Sequence, residues 1–198
     1  DVNNCIRVAN ALEPYRLASL EDFVPWDNTE QLKHITDSIN SPTITGEDIF
    51  GKEEFRKLCD VHAVDIVHPD MGTSGGILET KKIGDYAEES DVAMKMHFAG
   101  TPISFMANVH CAAATQNFMA LELPVQCVDN PWWPQLVKMV GKKPLYTKGF
   151  AHVPTDAPGL GVELNEDELK KHLHAEDNSY FRPTPEWDAK RSHDRLWS

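Results

Sequence analysis

The sequence predicts an α/β fold of the (β/α)-barrel kind, with its parallel strands in the first 124 residues. Two observations carry this. Short apolar runs alternate with amphipathic stretches of helical period, the rhythm of βα units around a parallel sheet. Each run also ends in an ionisable residue: Glu21, Glu47, Asp70, His97 and Glu122, one every 23–27 residues.

The elements follow in order. Val2, Ile6, Val8, Ala9 and Leu12 recur at helical spacing over 1–13, and Pro14 closes that helix. A short strand is expected over 16–20 and a helix over 28–39, with Leu32 and Ile35 on one face. A strand at 43–45 follows Ser41-Pro42, and a helix runs from Gly51 to about His62. The run 64–67 is β-branched and reads as a strand. A helix starts at Gly75-Gly76 and reaches Glu89, and 92–96 is the next strand. The Ala-rich stretch 102–115 is a helix with Pro102 in its first turn. The last strand is 118–121. Beyond Pro124 the rhythm stops. Residues 125–198 are rich in Pro, Trp and charge, with one helical stretch at 166–172. This divides the chain into barrel sequence, 1–124, and a C-terminal tail, 125–198, expected to pack on the barrel and on a capping domain outside this chain.

Composition narrows the functional classes. At 198 residues, 41% hydrophobic and 25% charged, the chain has the make-up of an ordinary globular protein. No apolar run reaches the ~18–20 residues a membrane span needs, and no basic-then-apolar leader opens the chain. A net charge of −12 argues against a nucleic-acid partner. Cys5, Cys59, Cys111 and Cys127 are scattered and form no CxxC pair, which suits buried thiols in a reducing, cytoplasmic setting. Asp1 reads as the opening of a helix inside a larger fold.

In a (β/α) barrel the C-terminal ends of all strands meet on one face, and that face holds the active site. The five strand-end residues should therefore share one pocket, and their types sort by chemistry. Glu21 and Glu47 are hard oxygen ligands on neighbouring strands, suited to Mg²⁺. His97 suits a general base near neutral pH. Asp70, one strand earlier, can accept a hydrogen bond from its imidazole and raise its basicity. Glu122 can hydrogen-bond a developing oxyanion, or donate a proton if its neighbours raise its pKa.

Five ordered strings carry a family resemblance: LEDFVP at 20–25, TGEDIFG at 45–51, HPDMGTSGGI at 68–77, MKMHFAGTP at 94–102 and ALELP at 120–124. Together they resemble the mandelate racemase subgroup of the enolase superfamily. PGLGVEL at 158–164 and EDNS at 176–179, followed by further Trp residues, resemble its acid-sugar dehydratases, such as the D-galactonate dehydratase family. The resemblance implies a (β/α)7β TIM-like barrel of which this chain supplies strands 4 to 8. The first three strands and a capping domain would lie upstream, and that missing half is needed to complete the site. It further implies Glu21 and Glu47 as Mg²⁺ ligands, a His97–Asp70 dyad, Glu122 on the eighth strand, and a homo-oligomer. The expected substrate is a small sugar acid. Its α-proton is removed and its 3-hydroxyl eliminated to give a 2-keto-3-deoxy acid. Two other readings stand beside this one: a racemase or epimerase, which needs a second base upstream, and a non-catalytic barrel, which a complete site argues against.

Secondary positions are weighed alongside. Lys95 and His68 each precede a dyad residue by two, so strand alternation places them on the same inner face, one layer down. They are either a satisfied polar pair or, for Lys95, a contact to substrate or dyad. Trp132 and Trp133 either line the pocket mouth or anchor the tail. His110, on the Ala-rich helix, reads as structural. The glycines at 72–76 lack the phosphate-loop pattern and instead let a helix start close to its strand. His172 and His174, beside Lys170 and Lys171, are expected to be solvated.

Overall fold

The computed structural model describes residues 1–141 and 143–173. Helix α1, Val2–Leu12, is capped by Asp1, whose side chain accepts from the Asn4 amide. It ends at a 3₁₀ turn, Glu13–Tyr15, containing Pro14, and at Arg16 in the left-handed region (φ 52°). That reversal moves the first strand. It was expected over 16–20, but the chain enters the sheet only at β1, Leu20–Glu21, because Leu20 is the first residue to bond the neighbouring strand, at the Pro42 carbonyl.

The sheet then builds in sequence order. Strand β2 is Thr43–Thr45, β3 is Ile66–Val67, β4 is Ala93–Met96 and β5 is Phe118–Leu121. All four pairings are parallel and each joins consecutive strands. Successive parallel neighbours are the arc of a (β/α) barrel, because every crossover is a helix on the same side. Those helices are α2 (Thr29–Thr36), α3 (Gly51–Asp60), α4 (Met71–Ser74), α5 (Ile77–Glu89) and α6 (Pro102–Ala114). The four-residue α4 was not anticipated. Asp70 makes it, accepting from the Gly72 amide as its N-cap, and left-handed Gly75 ends it before α5 begins.

Strand β4 shows how one strand serves two faces. Met94, Met96 and Phe98 are fully buried towards the helices, where Met94 and Met96 join Phe55, Leu58, Val67 and Ile83 in the main core. The alternate residues Ala93, Lys95 and His97 are only partly buried and occupy the opposite, concave face. The in-register set Glu21, Ile44, Ile66 and Ala93 shares that face, so His68 and Lys95 follow two residues on.

Beyond Pro124 the chain is more ordered than its composition indicated. Besides α7 (Val125–Val128) it forms two antiparallel pairs. Strand β6 (Val137–Met139) pairs with β9 (Val162–Leu164), and β7 (Tyr146–Thr147) pairs with β8 (Phe150–Ala151). Two- and three-residue strands carry too little alternation to read from sequence. The expected helix at 166–172 is α8 (Glu166–Leu169) continued by a 3₁₀ turn. A second core joins this segment to α6. Phe98 and Phe105 meet Trp133 edge-to-face, and the Trp133 indole donates to the Gly100 carbonyl at 2.8 Å. Among the described residues no helix is long and apolar enough to cross a membrane. His174, the EDNS stretch and the later Trp residues lie outside the described residues.

Candidate active site

The concave strand ends bring Asp70, Glu47 and Glu122 to within 4 Å of His97, and His68 links Glu21 to Glu122. His97 follows β4 and is joined to Asp70 by a single parallel bridge beyond the ends of β3 and β4. Its Nδ1 lies 2.7 Å from Asp70 Oδ2. A carboxylate only accepts, so Nδ1 donates to Asp70. Nε2 stands 3.1 Å from Glu47 Oε2 and 3.9 Å from Glu122 Oε2. The Asp70 carboxylate is held in turn by the Gly72 amide at 2.6 Å, so the dyad is anchored to the first turn of a helix.

Glu47 reaches this point because the backbone turns at Gly46, with φ +143°. A Cβ there would lie 2.7 Å from Phe55 Cε1 and 3.0 Å from the His68 amide nitrogen, so only glycine lets β2 pass this close to α3 and β3. On β1, Glu21 is followed by Asp22 in the left-handed region (φ 51°), where its carboxylate accepts from the Thr45 hydroxyl at 2.6 Å. A cleft of about 460 Å³ opens beside these two loops, lined by Asp22, Phe23, Trp26, Thr45, Glu47 and Asp48. It flanks the His97 cluster on the Glu47 side.

One layer in, Lys95 Nζ pairs with Glu122 Oε1 at 2.5 Å. His68, with no exposed side-chain surface, uses Nδ1 to bond the Lys95 carbonyl at 2.9 Å. The expected polar layer is therefore present, but it is not fully satisfied. His68 Nε2 makes no hydrogen bond, although Glu21 Oε1 and Glu122 Oε1 stand 3.2 and 3.4 Å away. The His68 and His97 rings meet edge-to-face at 5.4 Å.

Electrostatics separate the two inner carboxylates. Burial pushes the Glu21 carboxyl up, and the Lys95 ammonium offsets only part of this. Burial also acts on Glu122. There the Lys95 hydrogen bond and the His68 and His97 imidazoles outweigh it and hold the group below the usual carboxylate range. The condition set for Glu122 as a proton donor, a raised pKa, is thus not met. Burial likewise lowers His68, against the Lys95 carbonyl bond that raises it.

Trp132 lies elsewhere: it stacks on His172 at 4.3 Å and packs against the second core. His172 is exposed, as expected, although Trp132 stacks on one face of its ring and its Nε2 lies 3.1 Å from Glu168 Oε1. His110 is structural, bonding the Leu160 carbonyl at 3.3 Å. The four cysteines are free, and burial pushes the Cys59 thiol up to about 12. The residue that sequence reasoning undervalued is His68. Its signal was the two-residue offset it shares with Lys95, which marks the inner face but not the convergence on Glu21 and Glu122.

The arc of parallel strands thus carries a His–Asp pair and carboxylates at its C-terminal ends. The chain belongs to the enolase C-terminal domain-like family, whose model matches residues 1–168. It is 36% identical over 167 residues to a D-xylonate dehydratase of Haloferax volcanii and 34% identical over 165 residues to the D-galactonate dehydratase family member RspA of Pantoea ananatis. A solved mandelate racemase/muconate lactonizing enzyme-like protein from Rubrobacter xylanophilus superposes with a TM-score of 0.83 at 34% identity, covering 88% of this chain. The matches cover 84% and 82% of this chain but only 39% and 38% of the two dehydratases, and 43% of the solved structure. The chain thus supplies the C-terminal part of the barrel.

Proposed function

We propose that the protein containing this chain is a Mg²⁺-dependent acid-sugar dehydratase. The observation that carries the reading is the His97–Asp70 pair, with Nε2 of His97 turned to the carboxylate-lined end of the sheet. The names of the similar dehydratases support the choice of reaction class.

The donor set fits the metal. Glu21 and Glu47 are hard oxygen donors on adjacent strands, each still 37% exposed and able to share a hydrated cation. Glu21, pushed up by burial, lacks a full counter-charge. When bound, Mg²⁺ acts as a Lewis acid on the substrate carboxylate and makes its α-proton more acidic.

The residues of this chain then divide the work. His97 Nε2 accepts the α-proton while Asp70 holds the tautomer and stabilises the imidazolium. The electron pair of the broken C–H bond forms the C2–C3 double bond, and the 3-hydroxyl departs as water after taking a proton. Imidazolium His97 can supply that proton. The enol product tautomerises to a 2-keto-3-deoxy acid. Glu122, ionised and paired with Lys95, serves as a fixed hydrogen-bond acceptor, and Lys95 is placed to face a substrate anion. Residues 1–124 would form the catalytic arc and the segment from 125 a tail that braces it. The soluble substrate suits a cytoplasmic homo-oligomer.

The complete protein with Mg²⁺ should convert a member of an acid-sugar library to a 2-keto acid. His97→Asn should lower turnover about 10²–10⁴-fold with Mg²⁺ binding retained. Near-wild-type turnover in that variant would overturn the assignment. Deuterium in recovered substrate, with no keto acid formed, would replace dehydration by racemisation or epimerisation.

A further inference from the structure

We infer that Glu21, His68 and Glu122 form a second, nitrogen-containing cation site that binds Zn²⁺ or a similar borderline metal and competes for Glu21. The starting point is the tautomer of His68. Its Nδ1 faces the Lys95 carbonyl at 2.9 Å, and a carbonyl only accepts, so Nδ1 is the donor. The neutral ring therefore aims the Nε2 lone pair at Glu21 Oε1 and Glu122 Oε1, 3.2 and 3.4 Å away. Three possible ligand atoms thus converge on one point. His68 has no exposed side-chain surface, and Nε2 has no hydrogen-bond partner.

The two His68 edges have the length expected in a tetrahedral metal site. Zn²⁺ holds nitrogen and carboxylate ligands at roughly 2.0–2.2 Å, so adjacent ligand atoms of a tetrahedron lie about 3.3 Å apart. Both His68 contacts match that edge, and all three ligand atoms lie within 4.8 Å of one another. An imidazole ligand favours Zn²⁺ over Mg²⁺, which prefers oxygens and keeps its waters. The Lys95 carbonyl orients the ring from behind, as ligating imidazoles are commonly held. One group opposes the cation: Lys95 Nζ, 2.5 Å from Glu122 Oε1. A metal at this point must share or displace that ammonium, so removing it should tighten binding.

Glu21 cannot serve both this site and the Mg²⁺ site of the proposed function. The competition with Mg²⁺ rests on that reading, whereas Zn²⁺ uptake does not. The test uses the complete, metal-free protein without substrate, with Co²⁺ as the spectroscopic stand-in for Zn²⁺. Uptake should give the intense visible bands of a tetrahedral ion, and Zn²⁺ should bleach them. His68→Gln should remove the bands and weaken Zn²⁺ binding tenfold or more. Glu47→Gln should leave them, and Lys95→Met should strengthen binding. The inference is overturned if the bands survive His68→Gln, vanish with Glu47→Gln, or never form in wild type or Lys95→Met. Histidine nitrogen NMR adds a reading independent of fold loss: a doubly protonated His68 that Zn²⁺ leaves unchanged also overturns it. If Zn²⁺ binds and no sugar acid is dehydrated, only the proposed function fails.

Discussion

His97 Nδ1 and Asp70 Oδ2 meet at 2.7 Å across the bridge that joins the ends of β3 and β4, and the same carboxylate caps α4 through the Gly72 amide. One side chain thus orients the His97 imidazole and starts the next helix. Asp70→Asn keeps a good helix cap but loses the charge opposite the imidazole. It should lower kcat about 10–100-fold with an unchanged melting temperature. Asp70→Ala should lose the activity and, in addition, about 1 kcal/mol of stability. Turnover and thermal melts of the two variants separate the roles, and equal melting temperatures for both would refute the capping role.

Glu21, on β1, and Glu47, just past the end of the adjacent β2, are the oxygen donors proposed for Mg²⁺. Glu47→Gln in the complete protein should raise the Mg²⁺ concentration for half-maximal activity by about 10-fold or more, as expected when a charged ligand becomes neutral. Mg²⁺ titration of the rate checks this. An unshifted midpoint would remove Glu47 from the metal site.

Gly46 sets the approach of β2 to its neighbours. Gly46→Ala places a methyl 2.7 Å from Phe55 Cε1 on a backbone at φ +143°. Overpacking and strain together should cost about 1–3 kcal/mol, read as a lower urea midpoint. Because Glu47 is displaced with its neighbour, activity should fall as well.

Cys59 offers a pH test of the main core. Its thiol is 1% exposed, and burial pushes it up to about 12 from an ordinary 9.0. A folded-state pKa raised above the unfolded value means that the unfolded chain loses this proton first as pH rises. The Cys59 contribution is therefore whole below about pH 9 and is lost between about 9 and about 12. At about pH 10.5 it should amount to about 2 kcal/mol. Cys59→Ala should flatten the pH dependence of the urea midpoint over that range. Parallel curves for the variant and wild type would contradict the assignment.

Much of this was legible in the chain. Met94, Met96 and Phe98 alternate with Lys95 and His97, so two faces were implied before any coordinate. The spacing of Glu21, Glu47, Asp70, His97 and Glu122 placed one ionisable group at each strand end, because a βα unit repeats at nearly constant length. Less was legible where elements are short. The two-residue β1, the four-residue α4 and the antiparallel pairs after Pro124 rest on single caps, left-handed residues and edge-to-face rings. Those are pairwise events with no period for a sequence to display.

By itself the sequence determined which side chains belong to the concave face and in what strand order, since alternation and repeat length are local properties of the backbone. Only the tertiary structure decided who faces whom. It paired Lys95 with Glu122, holding that carboxylate low in pKa, and left the buried His68 Nε2 between two carboxylates without a hydrogen-bond partner. Such outcomes depend on ångström-scale distances between strands far apart in the chain, and the Coulomb and hydrogen-bond energies that set them change steeply over those distances.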